Sequence, residues 1–96
     1  MFAVINHLHL DVSVDELAPR IQTEGFPMLA QLKGCIATYL NKEAADRCCV
    51  IILWETPADA QAGAAAFGPT WFHANIAAHL ASEQNRTAGP VVAQRS

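Results

Sequence analysis

Few side chains in this sequence have the chemistry of a reactive site, and most of them lie near its two ends. Asn6 alternates with Phe2, Val4, Leu8 and Leu10 along an otherwise apolar face. A buried amide there must find hydrogen-bond partners. In a pocket it would orient an oxygenated compound or hold an anionic intermediate; at a strand end or bulge the backbone would satisfy it instead. His7 and His9 stand two apart, so on a strand both imidazoles leave one face. That pair holds zinc only if a third ligand arrives, and no spacing brings His73, His79 or Glu55 to it, so no metal site is expected. The two histidines read instead as the polar rim of a sheet face.

Trp71, Asn75 and His79 recur every four residues. On one helix face they would combine a stacking surface, an amide and a titratable base, as a site for a planar ligand requires; the alternative is a surface edge. His73 is a second candidate base. Trp54, Phe72 and Tyr39 are the other large aromatic candidates for a pocket wall, and Phe72 also shares a core stripe with Ile76 and Leu80. Cys35, Cys48 and Cys49 form neither a disulfide framework nor a zinc spacing, and read as small apolar fillers. The sequence has no nucleophile with a partnered base, no Gly-rich phosphate loop and no paired carboxylates in an apolar setting, so no cofactor is expected.

These residues need elements to position them. Cys48 to Trp54 is an uncharged run whose alternation puts Cys49, Ile51 and Leu53 on one side and Val50, Ile52 and Trp54 on the other. Both faces are apolar, so both need cover. Phe2 to Leu10 reads as a first strand. Ser13-Val14-Asp15-Glu16 is a capping box that starts a helix, loosened at Gly25 and Pro27 and stopped at Gly34. Cys35 to Asn41 is a second strand, joined by the polar turn Lys42 to Asp46 to the apolar third as an antiparallel hairpin. Thr56-Pro57-Ala58-Asp59 caps an alanine-rich helix that Gly68-Pro69 breaks. Thr70 to Ala81 begins another helix, Ser82 to Thr87 is turn-like, and Ala88 to Gln94 is an edge strand because of Pro90.

The order β-α-β-β-α-β is the ferredoxin-like split arrangement, an α+β fold with helices on one face of the sheet. The first and third strands are expected to be central, parallel neighbours. With 96 residues the chain is expected to form a single domain, 1–96, with a modest core. A hydrophobic fraction of 52% against 16% charged residues is high for so small a body, and a homodimer through the bare sheet face is the simplest outlet. Six scattered basic residues in a chain of net charge -3 form no stripe for a phosphate backbone, so no nucleic acid is expected. No run is long enough to span a bilayer, and the opening MFAVINHLHLD reads as a strand rather than a leader; a cytoplasmic protein is expected.

A strand ending Trp54-Glu55-Thr56, a proline-led helix rich in alanine, and the aromatic pair Trp71-Phe72 opening the next helix resemble the dimeric α/β-barrel superfamily, and within it the small antibiotic-biosynthesis-monooxygenase-like proteins. The resemblance covers nearly the whole chain, including Gly34 before the second strand and Gly89 before the fourth. It implies a dimer joined by its sheet faces, with a pocket in each protomer between sheet and helices. It further implies a cofactor-independent monooxygenase acting on a planar aromatic or polyketide-like compound. In that role Asn6 would stabilise an oxyanion, His79 or His73 would be the base, and Trp71 would stack. Two alternatives stand beside it: a non-catalytic dimeric ligand-binding or interaction module, and the haem-degrading monooxygenase that the same superfamily includes.

Overall fold

A computed structural model describes residues 1–95. Four strands, β1 (Phe2–His9), β2 (Cys35–Ala44), β3 (Arg47–Trp54) and β4 (Asn85–Pro90), form one sheet in the order β2-β3-β1-β4. The ferredoxin-like α+β expectation holds, with one correction: β1 and β3 are antiparallel, as are β1 with β4 and β2 with β3. The helical crossover makes β1 and β2 run the same way. The hairpin then reverses β3, so β3 must oppose β1.

The helices follow local signals closely at their starts. Ser13 Oγ accepts from the Asp15 N–H and opens α1 (Val14–Arg20). Thr56 Oγ1 accepts from the Asp59 N–H and opens α3 (Pro57–Phe67) with Pro57 in the first turn. Gly34 has φ +80°, the left-handed conformation that suits glycine, and an added Cβ would also lie 2.7 Å from Asp59 Cβ. The loosening at Gly25 takes a definite form: a π turn, Ile21–Gly25, carries α1 into α2 (Phe26–Ala30).

Gly68-Pro69 does not break the helix. A second π turn, Gly68–Phe72, joins α3 to the short α4 (His73–Asn75) with Gly68 in right-handed helical geometry. A proline normally pushes the preceding residue out of that region by clashing with its Cβ, and glycine has none. Pro69 has no N–H to donate to the preceding turn, and the backbone ladder resumes beyond it in the π turn, where the His73 N–H donates to Gly68 O. Threonine hydroxyls cover carbonyls at both π turns: Thr23 Oγ1 donates to Pro19 O at 2.8 Å, and Thr70 Oγ1 to Ala66 O at 2.6 Å. Past Ile76 the backbone tightens into a 3₁₀ turn, Ala77–His79, and Leu80 is extended and bridged to Leu10. The regular helix expected over Thr70 to Ala81 is therefore overwound at its end.

Two strand boundaries also differ from expectation. β2 runs on to Ala44, leaving a tight turn at Ala45-Asp46, and β4 occupies the polar segment Asn85–Pro90, not Ala88 to Gln94. Gly89 thus lies inside β4, and Val91 and Val92 follow it. Pairing on one edge only, β4 needs no apolar pattern, and its residues are mostly exposed.

The register assigns each face. Val4, Asn6 and Leu8 of β1 lie over Ile52, Val50 and Cys48 of β3 on the helix side; Ala3, Ile5 and His7 lie over Leu53, Ile51 and Cys49 on the outer side. The core sits under the helices in two neighbouring groups. One gathers Leu8, Leu10, Leu17, Ile21, Cys48 and Ile76, the other Val4, Leu29, Ile52, Trp54 and Ala60. Burial pushes the Cys48 thiol up to about 11, helped by Cys49 and Glu43, and raises Cys35 as well. Both stay protonated near neutral pH, consistent with filler cysteines. Among the described residues no helix is long and apolar enough to cross a membrane.

Candidate functional site

A cavity of about 210 Å³ lies between the sheet and the helices, enclosed mainly by apolar side chains. Its floor is the helix side of β1 and β3, with Val4, Asn6, Leu8, Val50, Ile52 and Trp54. Both π turns and their flanks form its walls: Ile21 and Phe26 on one side, Phe67, Gly68, Trp71 and Phe72 on the other. The small residues of α3 hold the remaining side at close range through Ala60, Gly63 and Ala64. Gln84 and Arg86 stand at the β4 edge.

Two glycines let the aromatic walls approach. An added Cβ at Gly63 would lie 2.6 Å from Trp54 Cζ2, so α3 can rest on the indole only because the position is bare. At Gly25 the added Cβ would lie 2.9 Å from Trp71 Cζ3. Trp71 lies against that glycine, stacks on Phe67 at 5.7 Å between ring centroids, and donates from Nε1 to Glu24 Oε1 at 3.3 Å. It therefore spans the two π turns.

The polar groups differ sharply from the apolar setting. Asn6 is half-buried, points into the cavity, and has no side-chain hydrogen bond among the described residues. Its amide is free to meet a ligand. Arg86 is its direct partner across the β1–β4 pair, and so shares its face.

The residues singled out by sequence separate into two groups. Asn6, Trp54, Trp71 and Phe72 come together on the cavity. Asn75, His73 and His79 do not line it. Asn75 Nδ2 donates to Trp71 O at 2.9 Å within its own helical turn, and His73 is exposed. His79 Nδ1 lies 3.3 Å from Asp11 Oδ1 outside the cavity. A four-residue line requires a regular helix, and the 3₁₀ turn after Ile76 rotates His79 away. Tyr39 is on the outer face, 55% exposed. Phe26, Phe67, Gln84 and Arg86 went unnoticed in the sequence. Only a correct placement of β4 opposite β1 would have marked Arg86, and the polarity of Asn85–Pro90 hid that strand.

His7 and His9 border a second, polar hollow with Glu43, Arg47, Ser82 and Asn85. His9 Nε2 lies 3.2 Å from Asp46 Oδ2, and its Nδ1 lies 3.4 Å from Ser82 Oγ. The imidazole thus ties the β2–β3 turn to the segment entering β4, an exposed link of small energetic weight. No group of metal-ligating side chains is assembled among the described residues.

No protein-family model and no curated protein sequence matches the chain. Solved structures do. The chain has the ferredoxin-like α+β fold of the antibiotic biosynthesis monooxygenases. It is similar to NE2512, a protein of unknown function from Nitrosomonas europaea, at 18% identity and TM-score 0.81, over 99% of this chain and 92% of that one. A crystal structure of an antibiotic biosynthesis monooxygenase matches at 18% identity and TM-score 0.77, over 97% and 100%. A mutant of SnoaB, a cofactor-independent oxygenase from Streptomyces nogalater, matches at 12% identity and TM-score 0.78, over 97% and 94%. At these identities the likeness is one of fold.

Proposed function

We propose that the protein binds a small planar aromatic compound in the cavity between sheet and helices and oxygenates it without a cofactor. The observation that carries this reading is the unpartnered Asn6 amide facing into an apolar, aromatic-walled cavity of about 210 Å³. An apolar cavity of about 150 Å³ admits benzene, so this one has room for a compound of one or two rings. The similar fold of a cofactor-independent oxygenase supports the chemistry. A methylene conjugated to a phenol would lose a proton, and its carbanion would add to dioxygen. Loss of water from the resulting hydroperoxide leaves a carbonyl, so one oxygen atom is inserted and the other departs as water. Asn6 would donate to the oxyanion formed along the way.

No imidazole or carboxylate lines the cavity among the described residues. The role of base is therefore left to the substrate's own acidity, and His73 and His79 stay outside the reacting set. The same observation favours the second reading, a binding module without catalysis. The haem-degrading alternative does not fit: among the described residues no His, Cys, Met or Tyr lines the cavity to hold an iron. Titrating planar phenols against tryptophan fluorescence, with oxygen uptake followed in parallel, separates the readings. Quenching with oxygen consumption is the expected result. Quenching alone would leave the binding module, and no quenching would refute both.

We further propose a homodimer through the outer sheet face, in a cytoplasmic setting that suits three free cysteines. Ile5, Ile51 and Tyr39 make an aligned row across that face, beside Ala3, Leu53 and Ala37. A charge in the middle of this row would be buried without a partner. Ile51→Lys is expected to weaken the dimer at least about 100-fold in sedimentation equilibrium; an unchanged dissociation constant would remove this face from the interface.

A further inference from the structure

Single-turn π segments inside helices recur at functional sites, and here two of them, Ile21–Gly25 and Gly68–Phe72, wall the same cavity. Trp71 crosses from the second to the first, where Glu24 and Gly25 receive it. Gly25 is buried in right-handed helical geometry, φ −67° and ψ −50°, so its backbone does not call for glycine. Alanine would be the better helix former. What glycine alone permits is the approach of the indole: an added Cβ would lie 2.9 Å from Cζ3, 3.1 Å from Cη2 and 3.2 Å from Cε3 of Trp71. Glu24 fixes the other end of the same ring by accepting from Nε1 at 3.3 Å. It is exposed and does not line the cavity, so it acts on a ligand only through that indole.

We propose that Glu24 and Gly25 are positioning residues for Trp71 and together set the size of ligand the cavity admits: with the indole seated against the first π turn there is room for two fused rings, and with it unseated there is room for one. This rests on the reading of the cavity as a small-molecule site, and deepens it by placing the control of ligand size on two residues outside the lining. The bare Gly25 gives the ring its depth, and the Glu24 carboxylate gives it one orientation. Without the carboxylate the indole is free to turn into the space it otherwise walls. With a methyl at position 25 the ring must move off its seat, and the cavity is the open space beside it.

Two probes that differ by one ring, phenol and 1-naphthol, test the assignment when each is titrated at pH 7 and followed by NMR. The unaltered protein is expected to prefer 1-naphthol by about tenfold, from the extra apolar area it buries. Gly25→Ala and Glu24→Ala should each cut that preference by about threefold or more, the weight of one modest hydrogen bond, while phenol binding is kept and shows that the variants are folded. Glu24→Gln, which retains an acceptor oxygen, should match the unaltered protein. In the ligand-free protein Glu24→Ala should shift the indole N–H resonance of Trp71 and leave that of Trp54 in place. Repeated on Trp71→Phe, which lacks both the outer ring atoms and the N–H, neither Gly25→Ala nor Glu24→Ala should change the preference. A change that persists there overturns action through the indole. Equal binding of the two probes by the unaltered protein, or an undiminished preference in the variants, overturns the inference and leaves the cavity reading standing. Binding of neither probe overturns both. Glu24 is exposed, so its variant keeps the test decisive even if Gly25→Ala unfolds.

Discussion

Replacing Gly63 by alanine will lower the stability of the protein by about 1–3 kcal/mol, although alanine is the better helix former by about 1 kcal/mol. Helix propensity and packing make opposite predictions here, and the geometry decides between them. Gly63 is buried within α3, and the new methyl would meet the Trp54 ring, 2.6 Å from Cζ2. That ring cannot swing aside, because Trp54 is only 2% exposed, held under α3 in the core. The helix would have to lift from the sheet, opening the wall of the cavity as it does so. Urea denaturation read by circular dichroism gives the sign directly. A variant as stable as the parent, or more so, would show that α3 does not rest on Trp54 as closely as described.

Asn6→Ala should reduce turnover of an oxygenated planar substrate by about 100-fold, the lower end of what loss of one oxyanion donor costs. Ground-state affinity should change less, because the donor contributes most where negative charge builds up on the oxygen in the transition state. Stability should barely move, since the amide has no internal partner to lose. The decisive signature is this split: kcat falls while KM and the unfolding midpoint stay close to their original values. An unchanged kcat would remove Asn6 from the chemistry and leave the cavity as a binding site only.

Much of the architecture could be read from residue order, because its signals are local. Ser13 and Thr56 cap helices by hydrogen bonds within three residues, and Gly34 is required by its own backbone angle. The two-sided apolar run of β3 marked a central strand, which it is. The errors share a physical origin, namely that they concern how one element continues or opposes another. Strand direction between β1 and β3 depends on counting reversals along the chain and not on composition. Pro69 looked like a helix breaker because proline is judged by the bond it lacks; the preceding glycine keeps helical geometry and the chain runs on through the π turn.

The candidate site was legible where side chains alternate on a strand and illegible where helix geometry departs from 3.6 residues per turn. Alternation put Asn6 on an apolar strand face and Trp54 was named for its large ring; both line the cavity. The line Trp71, Asn75 and His79 assumed an even helical pitch, yet its first member lies in a π turn and its last in a 3₁₀ turn. Arg86 left no mark because an edge strand open to solvent has no hydrophobic pattern to betray it. The histidines named as bases in the sequence lie outside the cavity, and an arginine is among its lining residues.

The proposed function requires a planar aromatic compound to sit between sheet and helices with its oxygen on Asn6. A crystal structure of the protein soaked with 1-naphthol shows whether it does. The ring system is expected among Trp54, Phe26 and Trp71, with the hydroxyl about 2.7–3.1 Å from the Asn6 side-chain amide. Finding the naphthol only on the outer sheet face, with the cavity holding water or a collapsed Trp71, would refute that placement.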